Sequence, residues 1–169
     1  MKRSTLVCSA IFVATLATIC LAESPQAVTS LEKALEQAHK QGKLLFVQEG
    51  RPSCGNCQAL RGYIAAGKVD LPTNLFVYAD VNCDDPKTAQ AFSKHFKVEG
   101  NMLPFVAIAD SDGKQLAARA GFGKPDDFQE LIKNAEKKAT KSTAIKKANA
   151  ADKPAGAPAE ANAAPAAHP

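Results

Sequence analysis

With 169 residues, 46% of them apolar and 22% charged, the chain has material for one domain of ordinary composition and not two. Its formal charge of +4 lies wholly at the ends, because between positions 23 and 139 fifteen basic residues meet fifteen acidic ones. A nucleic-acid module needs a basic footprint on its folded part, so a nucleic-acid partner is excluded.

Met1-Lys2-Arg3-Ser4 makes a short positive start, and Leu6 to Ala22 then carries no charge. Cys20-Leu21-Ala22 before Glu23 puts small residues where a leader peptidase reads, so residues 1–22 are expected to be a secretory signal peptide. The folded part is then exported, to a periplasmic or extracellular site. The run is slightly short of the ~20 apolar residues of a membrane span. An anchor, and membrane contact with it, arises only if the leader is retained. Lipidation at Cys20 is disfavoured by the bulk of Ile19 before it.

Thr29-Ser30-Leu31-Glu32 reads as a capping box with Thr29 at the N-cap. Leu31, Ala34, Leu35 and Ala38 then follow at helical spacing up to Gly42. Leu44–Val47 is a wholly apolar run, as expected of a strand covered on both faces. A second helix is predicted from Cys54, with Cys57, Leu60 and Ile64 on one face. Leu75–Val81 is the next buried strand. Asp85-Pro86 supplies a cap and a first-turn proline, and Ala89, Phe92 and Phe96 face inward from the helix behind it.

Phe105–Ala109, the turn Asp110-Ser111-Asp112-Gly113 and Gln115–Ala120 form a predicted hairpin. Asp126 or Asp127 opens a last helix, on which Phe128, Leu131, Ile132 and Ala135 recur. The order α-β-α-β-α-β-β-α predicts an α/β domain over 23–139, a mixed four-stranded sheet flanked by helices on both faces. Strands joined by a helical crossover are expected to be parallel. Residues 140–169 hold twelve Ala, four Pro and four Lys, with Ile145 as the one large apolar side chain. Such a segment cannot offset its ordering entropy. A disordered tail is expected there, with 137–147 raggedly extending the helix.

The cysteines carry the chemistry. Cys8 and Cys20 leave with the leader, and three remain. Cys54-Gly55-Asn56-Cys57 follows a buried strand and opens a helix, a context that makes a four-letter pattern specific. Unpartnered N–H groups and the positive end of the helix dipole favour a thiolate at Cys54, the reactive form of a thiol. Arg51 adds a cation upstream, and Pro52 helps set where the helix begins. Cys57, one turn on, is placed to attack a mixed disulfide on Cys54 and release the product.

On these residues the sequence resembles the thioredoxin-like superfamily over roughly 29–138, through Cys54-Gly55-Asn56-Cys57 after Leu44–Val47, Leu103-Pro104 before Phe105–Ala109, and the closing hairpin and helix. It looks most like the short secreted branch. The resemblance implies a cis Pro104 lying against the active-site disulfide, and Leu103 hydrogen-bonding an extended substrate backbone. It implies protein disulfide or dithiol substrates; reductase, isomerase and oxidase directions stay open, a membrane electron donor is the partner expected of the reductase, and no cofactor or metal is expected. Ser53 stands where such proteins carry Trp. Gln48 stands at the family's buried acid, whose lysine partner has no counterpart in Leu75–Val81. Glu49, one position on, points to the opposite sheet face, and general-base help for Cys57 falls to Glu49, Asp80 or water.

Cys83 lies past the strand Leu75–Val81, on the sheet edge where parallel-sheet sites collect. It is read as an inert loop cysteine, with a third redox thiol as the alternative. His39 and His95 are read as surface or boundary residues on helices. A zinc site of Cys54, Cys57, Cys83 and His95 has suitable ligand types and is placed behind a redox pair. Met102, Leu103 and Phe122 form either an apolar rim around the motif or part of the core. The main reading is an exported thiol–disulfide oxidoreductase. The alternative is a redox-inactive binding module whose cysteines form a structural disulfide.

Overall fold

The computed structural model describes residues 25–151, with 143–151 described as helix only. The expected leader, residues 1–22, and the tail beyond Ala151 lie outside the described residues. Eight elements follow in chain order: α1 (Leu31–Gln41), β1 (Leu44–Gly50), α2 (Gly55–Ala65), β2 (Phe76–Asn82), α3 (Pro86–His95), β3 (Phe105–Ala109), β4 (Gln115–Ala120) and α4 (Pro125–Ala151). The strands form one mixed sheet in the order β2-β1-β3-β4. β1 runs parallel to β2 and antiparallel to β3, and β3 and β4 form the expected hairpin.

The parallel expectation for crossovers holds for β1–α2–β2 and not for β2–α3–β3. β3 skips β2 and pairs with β1 from the other side, in the opposite direction. Because β1 has a strand on each side and helices on each face, alternate residues serve two separate apolar layers. Phe46 packs with Leu60, Ile64, Tyr78, Phe128 and Ile132 on the α2/α4 face. Leu45 and Val47 pack with Leu31, Ala34, Phe92 and Phe96 on the α1/α3 face. Burying a side chain of this size stabilises the fold by roughly 1.5–3 kcal/mol.

Local chemistry sets the ends of the elements, and in places differs from the sequence expectation. The α1 cap is Ser30, not Thr29: Ser30 Oγ accepts the Lys33 N–H at 3.3 Å and donates to Glu32 at 3.0 Å. Val28 accounts for the shift. It forms a single parallel bridge with Ala79 on the outer edge of β2, through Val28 N–H to Tyr78 O at 2.9 Å and Asp80 N–H to Val28 O at 3.0 Å. The chain therefore stays extended one residue longer. Gly42 closes α1 at φ 63°, a conformation open to glycine at little cost. β1 continues past Val47 to Gly50. Leu75 is exposed in the loop before β2. Asp85 caps α3 as expected, accepting the N–H groups of Lys87 and Thr88. α4 starts at Pro125 and runs to Ala151, so residues 140–151 of the expected tail are helix. No helix among the described residues is long and apolar enough to cross a membrane.

Candidate active site at the start of the second helix

Cys54 is the N-cap of α2, in an extended conformation, and its Sγ accepts the backbone N–H of Cys57 at 3.2 Å. The two cysteines form a disulfide with Cα atoms 5.2 Å apart. Cys54 is half-buried, whereas Cys57 is fully buried. An attacking partner therefore meets Cys54 first, and Cys57 is reached only from within. After reduction the same N–H is positioned to support a thiolate on Cys54, as expected at a helix start. The turn before the helix is held by Cys54 N–H to Arg51 O at 3.2 Å and by Gln58 Nε2 to Pro52 O at 2.6 Å.

Gly50, at the end of β1, is a site residue that the sequence reading missed. A Cβ added there would lie 2.6 Å from Cys57 Sγ and 3.1 Å from Cys57 Cβ. No short-range pattern signals this, because the contact joins a strand end to a residue inside the next helix. Gly50→Ala is expected to lower the stability of the oxidised protein by about 1–3 kcal/mol through overpacking against a sulfur that the disulfide holds in place. Urea unfolding of the oxidised variant measures this, and a midpoint equal to wild type would show that the strand yields instead.

Behind the cysteines, Gln48 is fully buried on the α2/α4 face. Its Nε2 donates to Cys57 O at 3.1 Å, and Tyr78 Oη lies 3.5 Å from its Oε1. Burial pushes the Tyr78 hydroxyl well above its usual pKa. Asp80, on the same face by register, is held by Arg61 through Nε at 2.5 Å and Nη2 at 3.1 Å. That ion pair occupies both carboxylate oxygens of Asp80. Glu49 points to the α1/α3 side, as strand alternation requires. It is only 4% exposed, and burial pushes its carboxyl up to about 7.

A cleft of about 710 Å³ opens on that side, lined among others by Cys54, Glu49, Arg51, Cys83, Leu103 and Phe105. The structure thus brings Cys54 and the candidate residues Glu49, Arg51, Cys83 and Leu103 to one surface. Among the described residues, the polar partners of Arg51 are Cys83 Sγ at 3.8 Å and Asp84 Oδ1 at 3.3 Å. Arg51 thus reaches across to the loop after β2 while lining the same cleft as Cys54. The half-buried Cys83 is pinned by its N–H to Gly50 O at 2.8 Å.

The Leu103–Pro104 peptide bond is cis, and Pro104 is buried. Leu103 O accepts Asn56 Nδ2 at 3.4 Å, a contact between the motif and this loop that the sequence reading did not foresee. Met102 and Phe122 are 59% and 51% exposed, so they belong to the surface and not to the core. His39 and His95 are exposed. Among the described residues no group of three or more His, Cys, Asp or Glu could hold a metal ion.

No protein-family model and no curated protein matches the chain. Solved structures do match. A mutant thioredoxin from Halobacterium salinarum has a TM-score of 0.52 at 17% identity, covering 68% of this chain and 94% of its own. Spinach chloroplast thioredoxin f in its short form has a TM-score of 0.54 at 13% identity, covering 69% and 97%. The chain has the thioredoxin-like fold. A chain from the complex of ferredoxin:thioredoxin reductase with thioredoxin f2 superposes similarly, with a TM-score of 0.53 at 14% identity over 69% and 99%. On this thioredoxin-like scaffold the half-buried Cys54 opens on the cleft that Leu103 also lines.

Proposed function

We propose that the protein is an exported thiol–disulfide oxidoreductase that exchanges disulfides with protein substrates through Cys54 and Cys57. The observation that carries this reading is the disulfide itself: Cys54 caps α2, takes the Cys57 N–H on its sulfur, and stands half-open at a cleft, while its mate is buried. Cys54 is the attacking sulfur and Cys57 the resolving one. Leu103 and Pro104 position the partner chain alongside.

Export rests on the charge-free run Leu6–Ala22 behind Lys2-Arg3. It places the domain in the periplasm or outside the cell, or at the membrane if the leader is kept. If the pair works as a reductase there, a membrane electron donor returns it to the dithiol. The similar thioredoxin f2 chain comes from a complex with a ferredoxin:thioredoxin reductase, which supports protein partners in general.

The full chain, supplied with dithiothreitol, is expected to speed insulin reduction well above the dithiothreitol background. It is expected to lose this activity once its reduced cysteines are alkylated. No acceleration would favour the second reading, a binding module with a structural disulfide. The amide of Gln48 in place of an acid behind Cys57 speaks for that reading.

A further inference from the structure

The cleft beside Cys54 contains a carboxyl that the fold does not use. Glu49 is nearly as buried as its neighbour Gln48. Gln48 makes hydrogen bonds at both ends of its amide, whereas the Glu49 carboxyl has no hydrogen-bond or ion-pair partner among the described residues. A carboxyl held at the wall of a cleft, between the apolar cross-strand partners Val81 and Phe105, is costly to ionise and adds no hydrogen bond to the fold. Glu49 lines the same cleft as Cys54 and Cys83.

Neighbouring acids are committed elsewhere, Asp80 to Arg61 and Asp84 to Arg51. The charged or titratable groups lining the cleft with Glu49 are Arg51 just past β1, Cys54 at the start of α2, and Cys83 before α3, with Asp84 reaching it through its ion pair to Arg51. The lining from α3 and from the β3 side contains no titratable group.

We propose that Glu49 is the proton donor and acceptor for the substrate sulfur that departs from, or enters, the cleft side of Cys54. This role rests on the oxidoreductase reading. In the reductive direction the Cys54 thiolate attacks one sulfur of the substrate disulfide. A Cys54–substrate S–S bond forms, the substrate S–S bond breaks, and its electron pair leaves on the departing sulfur. The Glu49 carboxyl gives that sulfur its proton, and the resulting carboxylate is reprotonated from water at the cleft mouth. In the oxidative direction the carboxylate takes the proton of an incoming substrate thiol, and the thiolate attacks Cys54 Sγ: a substrate–Cys54 S–S bond forms, the Cys54–Cys57 bond breaks, and its electron pair leaves on the Cys57 sulfur. Burial holds the group at about 7, where both forms are present at neutral pH.

The test compares the full-length wild type with Glu49→Gln and Glu49→Leu, measuring the rate at which each reduced protein reacts with oxidised glutathione from about pH 5 to 9. In wild type the rate is expected to rise as Cys54 ionises and fall again as Glu49 loses its proton near pH 7. Both variants are expected to lose the falling limb and to react on the order of ten- to a hundredfold more slowly at the wild-type optimum. A Glu49→Gln profile of wild-type shape overturns the proposal, whether or not its height has changed, because a packing defect alters the rate without removing a titration. Glu49→Leu guards against a folding defect peculiar to the buried amide. Failure of the wild-type chain itself to react takes down the oxidoreductase reading and this role with it, whereas a reactive wild type with unchanged variant profiles takes down this role alone.

Discussion

Cys54→Ser is expected to abolish disulfide exchange, bringing insulin reduction to the dithiothreitol background, whereas Cys57→Ser is expected to trap substrate. The asymmetry follows from burial. Cys54 is half-open at the mouth of the cleft and carries the sulfur that a partner can reach, and serine at that place is no nucleophile toward sulfur. Cys57 is fully buried against Gly50, so its task begins only after a mixed disulfide has formed on Cys54. With serine at 57 that intermediate has no resolving thiol and accumulates. It appears as a higher-mass band on a non-reducing gel that dithiothreitol dissolves. Equal activity in Cys54→Ser and wild type would remove the catalytic assignment. Trapping by Cys54→Ser in place of Cys57→Ser would reverse the two roles.

The second large effect concerns stability. Glu49 has its carboxyl pushed from 4.5 to about 7 by burial. Below 4.5 both the folded and the unfolded chain hold the proton, and burial costs no ionisation. Between 4.5 and 7 the folded chain keeps a proton that the unfolded chain releases, so stability falls as pH rises. Above 7 both are ionised and the full penalty stands, roughly 3–4 kcal/mol at ~1.4 kcal/mol per unit. Glu49→Leu is therefore expected to unfold at a higher urea concentration than wild type at about pH 8, with an advantage that shrinks toward pH 4.5. A constant difference across this range would show that the carboxyl does not titrate in the folded chain. Together with the exchange rates, the variant is expected to be the more stable protein and the poorer catalyst, the trade common at functional sites.

Much of this architecture is legible in the sequence because the apolar spacing is regular. The repeats Leu31-Ala34-Ala38 and Phe128-Ile132-Ala135 are buried in α1 and α4, and the hairpin strands end where the turn residues place them. The cysteine motif is legible because its position after a buried strand gives it a helix start. Legibility fails where residues depart from their local pattern for the sake of the site. The apolar run of β1 stops at Val47, yet the strand continues through Gln48 and Glu49, two buried polar residues that a pattern rule assigns to a loop. Contacts across the fold are beyond reach for a different reason. Asn56 to Leu103 and Gly50 to Cys57 depend on how α2 sits against β1 and β3, and nothing within a short window encodes that. Val28 is a further case, since one bridged residue is too brief to register as a strand.

The alternation of β1 has a consequence for how this protein can change. Positions 48 and 49 share a peptide bond, but the sheet stands between their side chains, one turned toward the α2/α4 layer and the other toward the α1/α3 layer. Each meets a different half of one disulfide, Gln48 behind Cys57 and Glu49 on the cleft of Cys54, so the sulfur–sulfur bond is the route by which altering one is felt at the other. Adjacent codons thus address the inner and the outer sulfur from opposite sides of one sheet.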